Sequence, residues 1–249
     1  MSRSLIVVPC YNEARRLDLS SFRDFLERKT DAIQFLFVDD GSTDDTLAVL
    51  KELQQTHSQA IDVFPLPKNQ GKAEAVRQGF LQAATRDIDF VGFWDADLAT
   101  PLEAIPDFCR LLEENPTIDV VFGSRVQLLG RSIERSTARH YLGRMFATTV
   151  SLVLGLKVYD TQCGAKLFRA HPDSFALFRE PFATRWIFDV EIIARMIRAE
   201  QEVSTRPTAE RIYECPLAHW RDVQGSKLNS ADFLKAIYEL LRLRLTYFK

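Results

Sequence analysis

Four short apolar runs recur in the first hundred residues, at 5–8, 35–38, 61–64 and 90–94, and each stops at a polar loop. Runs this short, rich in β-branched and aromatic residues, are expected as buried strands. Between them lie stretches with apolar residues at helical spacing. The first carries Phe22, Phe25 and Leu26, the second Leu47, Leu50 and Leu53, the third Ala73, Val76, Phe80 and Ala84. Such an alternation predicts an α/β chain, with one Rossmann-like, mostly parallel sheet flanked by helices and right-handed crossovers. Pro9 is expected to end the first strand. Ser20 or Ser21 is expected to cap the first helix, which should reach about residue 29, and Thr43 or Asp44 the second.

A parallel sheet sends the loops that follow its strands to one edge, and chemistry collects in the crevice there. In this chain those loops carry Asn12-Glu13, Asp39-Asp40, Asn69 to Lys72, and Asp95-Ala96-Asp97. The edge is acidic, so holding a phosphate there calls for a divalent cation and nearby basic residues. Asp95 and Asp97 are hard oxygen ligands suited to Mg2+ or Mn2+, and such ions usually hold substrate phosphates as well. A solvated loop is the competing reading of the tripeptide by itself. No Gly-x-Gly-x-x-Gly follows the first strand and no Gly-x-x-x-x-Gly-Lys-Ser/Thr occurs. Dinucleotide oxidoreductase and P-loop readings are therefore poor.

Composition narrows the setting. The 249 residues are 46% hydrophobic, enough for a real core, and a net charge of −2 gives no basic field for nucleic acid. Apolar stretches fall short of the roughly 20 residues of a spanning helix, and the N-terminus lacks the apolar core of a signal peptide. Cys10, Cys109, Cys163 and Cys215 are widely spaced, without a Cys-x-x-Cys pair. That favours a reducing cytoplasm over disulfides or zinc.

The second half opens with an amphipathic helix at 102–112 and a strand at 120–122 that leads to Arg125. An arginine at the carboxyl edge can pair with phosphate through its planar fork. A basic stretch follows (Arg131, Arg135, Ser136, Arg139, His140, Arg144) and runs into the apolar segment 145–156. Such a junction fits a segment lying on an anionic membrane surface, and equally a core helix. Asp189 and Glu191 open a helix with Ile192, Ile193 and Met196, where acids also favour the helix dipole. Residues 230–249 are helical in pattern through Phe233, Ile237, Leu240, Leu241 and Leu245, with Lys235, Arg242, Arg244 and Lys249 adding charge. That segment either packs on the sheet or lies at a bilayer interface. The expected location is the cytoplasmic face of a membrane, held peripherally.

Val8-Pro9-Cys10-Tyr11-Asn12-Glu13, Val38-Asp39-Asp40-Gly41-Ser42-Thr43-Asp44, Asn69-x-Gly71-Lys72 and Asp95-Ala96-Asp97 occur in this order. Together they resemble the family-2 glycosyltransferases, which have the GT-A fold. The resemblance implies a single domain over 1–249: a nucleotide-sugar half at 1–98, an acceptor and catalytic half at 99–229, and a C-terminal amphipathic helix at 230–249. It implies that Pro9, Tyr11, Glu13, Asp39 and Asp40 cradle base and ribose, with Lys72, Asp95, Ala96 and Asp97 completing the donor site. Asp97, assisted by Asp95, would hold the cation. Some polyprenyl-phosphate mannosyltransferases of the family carry Gln where this chain has Ala99, which has no ligand atom. His219 is a candidate further ligand, although a lone histidine is more often structural.

Asp160-Thr161-Gln162-Cys163-Gly164-Ala165-Lys166-Leu167-Phe168, Arg135-Ser136 with Arg139, Trp186-x-Phe188-Asp189-Val190-Glu191 and Gly225-Ser226-Lys227 look like the dolichyl-phosphate glucosyltransferase branch more than the mannosyltransferase branch. The resemblance implies inverting transfer of a hexose to a polyprenyl or dolichyl phosphate. UDP-glucose is favoured as donor over GDP-mannose. Arg135, Ser136 and Arg139 would hold the acceptor phosphate, while Arg125 and Lys227 would neutralise the departing diphosphate. A lipid phosphate is already anionic at neutral pH, its second pKa being about 6. Asp189 is then expected to orient sugar or acceptor, acting as base only toward an alcohol. Three rivals remain: a family-2 transferase with a glycan-alcohol acceptor, a haloacid-dehalogenase-type phosphatase, and a nucleotide-binding module without turnover. The phosphatase also uses strand–Asp-x-Asp but leaves the 39–42 motif unexplained.

Overall fold

A computed structural model of the chain describes residues 2–28, 32–134, 137–203, 206–222 and 230–248, with backbone alone at 137–140, 203 and 230–234. The first half alternates as expected: β1 (Ser4–Cys10), α1 (Leu19–Arg28), β2 (Ile33–Asp39), α2 (Thr46–Thr56), β3 (Ile61–Pro65), α3 (Lys72–Ala83) and β4 (Phe90–Trp94). After it come α4 (Ala104–Glu114), β5 (Val120–Ser124), β6 (Ser132–Glu134), α5 (Thr137–Leu154), β7 (Ala165–Arg169) and α6 (Pro172–Ala176). The chain closes with α7 (Phe188–Val203), α8 (Thr208–Arg211), β8 (Ile212–Pro216), β9 (His219–Arg221) and α9 (Ser230–Tyr247).

Seven of these strands form one sheet in the order β3-β2-β1-β4-β7-β5-β8, and β6 pairs with β9 in a separate ribbon. β7 runs antiparallel to both neighbours, with Trp94 opposite Ala165 and Phe122 opposite Lys166, while the other pairs are parallel. Alternate residues of β1 feed opposite faces. Leu5 and Val7 join one core with α3, α5, α7 and α9, while Ile6 and Val8 join a second core with α1, α2 and α4. Burial on both faces explains why the strands read as continuous apolar runs. Aromatic contacts lock the first core: Phe80 stacks on Phe178 with centroids 3.7 Å apart, and Phe168 meets both edge-on.

Local expectations are corrected in three places. Pro9 lies inside β1, opposite Val38. The β1–β4 pairing ends at Val7 and Phe93, so the missing N–H of Pro9 falls where β1 has one neighbour. Asp18, not Ser20 or Ser21, caps α1; its carboxylate accepts from the Ser21 amide at 3.1 Å and from both serine hydroxyls. Asp45 occupies the cap position of α2, and Asp44 reaches over it to accept from the Thr46 amide at 3.0 Å. Of the basic stretch, Arg139, His140 and Arg144 fall within α5.

Candidate active site

β1, β2 and β4 end at one edge of the sheet, and their loops enclose a cavity of about 430 Å³. Pro9, Tyr11, Glu13, Asp40, Lys72, Asp95, Ala96 and Asp97 line it, joined by Cys10, Asn69, Gly71 and Ala75. The first eight are donor-site candidates from the sequence; Asp39 is the ninth and lies outside the lining.

Asp39 is buried, and its carboxylate accepts from the amide and hydroxyl of Ser42. It holds the turn after β2. Gly41 in that turn has φ +64°, and a Cβ there would lie 2.4 Å from the Lys68 carbonyl carbon. Asp40 is occupied in a similar way: its oxygens accept from the Gln70 amide at 2.8 Å, the Gly71 amide at 2.7 Å and the Asn69 side-chain amide at 3.0 Å. Its carboxylate thereby fixes the turn that delivers Lys72. Burial, opposed by those hydrogen bonds, raises the Asp40 carboxyl above its ordinary value.

Three carboxylates face the cavity floor. Asp97 is pushed up by burial and by the neighbouring Asp95, and Glu13 by burial and by Asp97, Asp44 and Asp95. Glu13 Oε2 has Arg16 Nε at 3.5 Å and Asp95 Oδ1 has Lys72 Nζ at 2.5 Å, but neither oxygen accepts a hydrogen bond. Burial pulls the Lys72 ammonium down, yet Asp95, Asp189 and Asp97 together lift it above the usual lysine value. Leu98, next to Asp97, takes φ +51°, an uncommon conformation for a branched residue and one that clusters at functional sites. Gly164 passes so close that a Cβ there would lie 1.9 Å from an Asp95 carboxylate oxygen. Excess negative charge, hard oxygen donors and a carboxylate cradled against glycine fit a divalent cation. Among the described residues no group of three or more His, Cys, Asp or Glu is arranged to hold a metal. His219 is therefore not gathered with Asp95 and Asp97; it is exposed on β9, where it pairs with Ser132.

Arg125 stands at the end of β5 as expected, but its guanidinium is engaged. Nε and Nη2 donate to Asp160 at 2.6 and 2.7 Å, its amide donates to the same carboxylate at 3.0 Å, and the group stacks on Trp220. Burial works against the charge, Asp160 more than offsets it, and the guanidinium is held more firmly protonated than a free arginine. In this geometry Arg125 is held on Asp160 and anchors the loop before β7. Asp189 is buried near the start of α7, and Lys166 Nζ lies 2.5 Å from its Oδ1. Arg135, Ser136 and Lys227 lie outside the described residues, as does the side chain of Arg139.

Sequence reasoning assigned no role to several residues that the fold places here. Asn12, at φ +53°, accepts from the Thr43 amide at 2.8 Å and ties the first loop to the second. Arg185 donates to the Gln70 carbonyl at 3.1 Å and so crosses to the loop before Lys72. Its own loop is fixed from both sides: Glu191 accepts from the amides of Ala183 and Thr184, and Glu239 of α9 from those of Arg185, Trp186 and Ile187. Lys166 stood inside the 160–168 segment that resembles the glucosyltransferase branch, but with no role of its own beyond a basic residue in an otherwise apolar run.

A family model described as glycosyl transferase family 2 matches residues 5–175. The chain belongs to that family. It is 32% identical over 262 residues to the dolichyl-phosphate beta-glucosyltransferase of Saccharomyces cerevisiae, covering 97% of this chain and 74% of the relative. With the human dolichyl-phosphate beta-glucosyltransferase it shares 31% identity over 263 residues, covering 97% and 75%. Among solved structures, mannosyl-3-phosphoglycerate synthase from Rubrobacter xylanophilus superposes with a TM-score of 0.67 at 16% identity, covering 98% of this chain and 74% of that one. Glucosyl-3-phosphoglycerate synthase from Mycobacterium tuberculosis, in complex with Mn2+, UDP and glucosyl-3-phosphoglycerate, gives 0.63 at 20% identity, covering 99% and 80%. The transferase thus has the GT-A fold, with β7 as the antiparallel member of its sheet. No described helix of the transferase is long and apolar enough to cross a membrane.

Proposed function

We propose that the transferase moves glucose from UDP-glucose to a dolichyl or related polyprenyl phosphate, with inversion at the anomeric carbon. The observation that carries this reading is the single cavity gathering Pro9, Tyr11, Glu13, Asp40, Lys72, Asp95, Ala96 and Asp97 at the carboxyl edge. Its support on the acceptor side is the likeness, over 97% of the chain, to relatives named for dolichyl phosphate and a β-glucosyl product. The whole chain acts as one GT-A domain, with donor half 1–98, acceptor half 99–229 and helix 230–249.

Tyr11 and Glu13 meet the nucleoside, and Asp40 sets the turn that carries Lys72. Asp97 and Asp95 hold Mg2+ or Mn2+, which when bound neutralises the donor diphosphate and makes it a better leaving group. Lys72, 2.5 Å from Asp95, stands ready to take up diphosphate charge. A phosphate oxygen of the acceptor attacks the anomeric carbon in line as the bond to the UDP oxygen breaks. No base is required, because that oxygen is already anionic. Asp189 orients the reacting groups. Arg135, Ser136 and Arg139 receive the acceptor phosphate, and Lys227 joins Lys72 on the leaving group.

The acceptor's lipid tail places the transferase at a membrane surface. The outer sides of α5 and α9 suit that contact. Met145 and Leu152 are 60% and 76% exposed, Leu241 and Leu245 57% and 72%. Thr148, Thr149 and Thr246 donate their hydroxyls to carbonyls one turn back, so these polar groups need no water. Glu239 is turned to backbone amides, while Arg242 and Arg244 stay exposed for anionic headgroups.

The deciding experiment is UDP release with UDP-glucose and GDP-mannose in parallel, with and without Mn2+ and a short polyprenyl phosphate. Release that needs the metal, UDP-glucose and the lipid phosphate, and that disappears in Asp97→Ala, is the expected result. Turnover with a glycan in place of the lipid phosphate would overturn the acceptor assignment.

A further inference from the structure

Lys166 is the one lysine among the largest fully buried side chains. Its ammonium donates to the Cys163 carbonyl at 2.7 Å and to Asp189 Oδ1 at 2.5 Å. The rings of Phe93 and Phe122 flank it, with centroids 5.1 and 4.8 Å from Nζ. Its neighbours on β7, Ala165, Leu167 and Phe168, are buried and apolar. Burying an ammonium and a carboxylate is expensive, and a buried ion pair is commonly no more stabilising than apolar residues of the same volume. Stability alone gives little reason for this pair. Its location gives another: Asp189 also acts on Lys72, which in turn contacts Asp95. Cation and carboxylate therefore alternate from the floor of the cavity into the core.

We propose that Lys166 is a positioning residue of the transfer reaction, holding Asp189 as a fixed, ion-paired carboxylate beneath the reacting groups. This rests on the functional reading above and deepens it. A carboxylate locked to a buried ammonium on one side has no freedom to swing toward an acceptor. It is well suited to present one unchanging oxygen to a sugar hydroxyl or to Lys72. The groups facing the pair are Lys72 from α3, the Cys163 thiol before β7, and the two phenyl rings.

The test compares wild type, Lys166→Met, Lys166→Arg and the doubly neutral Lys166→Met/Asp189→Asn by UDP release between pH 6 and 9, with thermal unfolding alongside. A reacting group displaced by about 1 Å loses roughly 10²-fold in rate. The expected Lys166→Met enzyme loses about that factor in kcat near neutral pH, with its KM for UDP-glucose within about twofold of wild type. Its kcat should recover as pH rises, because a buried carboxylate that has lost its paired ammonium takes up a proton more readily. That acid limb should be absent from the double variant, which is expected to be folded, slow and insensitive to pH. Should Lys166→Met not accumulate, the double variant and Lys166→Arg decide: both folded with reduced kcat supports positioning, and wild-type kcat in the double variant overturns it. A Lys166→Met profile parallel to wild type, or a loss confined to KM, overturns it too. Wild-type turnover separates this from the reading beneath it. If wild type releases no UDP with polyprenyl phosphate, the acceptor assignment fails, and the same variants are then judged by their hydrolysis of UDP-glucose to water.

Discussion

Replacing Gly164 by alanine tests how tightly the fold sets Asp95, one of the two carboxylates proposed to hold the cation. The loop before β7 lies against Asp95: the Asp95 amide donates to the Gly164 carbonyl at 2.9 Å. A Cβ on Gly164 would sit 1.9 Å from Oδ2, 2.1 Å from Cγ and 2.6 Å from Oδ1 of Asp95. Ordinary contact begins near 3.4 Å, so the nearest oxygen must retreat by about 1.5 Å. Catalytic groups tolerate displacements of only about 0.5 Å, and about 1 Å can lose 10²-fold. We expect kcat/KM for UDP-glucose to fall at least about 10²-fold, equivalent to roughly 2.7 kcal/mol of transition-state stabilisation, with half-saturation by Mn2+ shifted upward. Melting temperature should change far less, because alanine restricts the unfolded chain and returns about 0.4–1 kcal/mol. The assay is UDP release against Mn2+ concentration, paired with thermal unfolding. Activity within threefold of wild type would refute the reasoning, since it would mean that Asp95 has room to move without consequence.

Arg125→Met breaks a pair whose side chains are 14% and 8% exposed; losing one partner of a buried pair costs about 3–5 kcal/mol, or roughly 10 °C in Tm for a chain of this size. A normal Tm with reduced kcat would instead return Arg125 to the diphosphate role expected from sequence. Asp97 is raised by burial and Asp95, so the native state binds protons more readily than the unfolded chain between the ordinary and the raised value, and stability falls as pH rises through that window. Asp97→Asn should therefore be inactive yet melt higher than wild type near neutral pH without metal, and that difference should shrink in acid. The same raised values at Asp97 and Glu13 predict that half-saturating Mn2+ increases as pH is lowered, read by titration at several pH values. Leu152→Glu with Leu245→Glu should abolish flotation with anionic vesicles while leaving UDP-glucose binding unchanged, as measured by calorimetry.

The first half was legible because each of its strands obeys one rule. In a parallel strand the functional loop follows the apolar run, so Glu13, Asp40 and Asp97 could be read from the polar loops that follow β1, β2 and β4. What could not be read was how their charges divide among tasks. Asp39 and Asp40 are adjacent acids after the same strand, yet Asp39 closes its own turn and Asp40 holds the turn 30 residues on. Arg125 carried the right residue type at the right edge. Its partner Asp160 is 35 residues away, and no local pattern reports that pairing.

β7 shows why the other half was harder to read. It enters the sheet antiparallel between β4 and β5, so the residues that reach the carboxyl edge come before the strand, not after it. Ala165, at its start, pairs with Trp94 at the end of β4. This reversal puts Gly164 against Asp95 and lets Lys166, one pair further in, reach Asp189 from beneath. A search for polar residues following apolar runs passes over both of them: it looks beyond Arg169, where β7 has already reached the opposite edge and its backbone amide bonds to the Asp119 carbonyl ahead of β5. The segment that resembles the glucosyltransferase branch is thus also the one whose chain direction conceals its chemistry. Reading it requires knowing which way the strand runs, and that is decided by pairing with β4 and β5 at sequence separations of tens of residues.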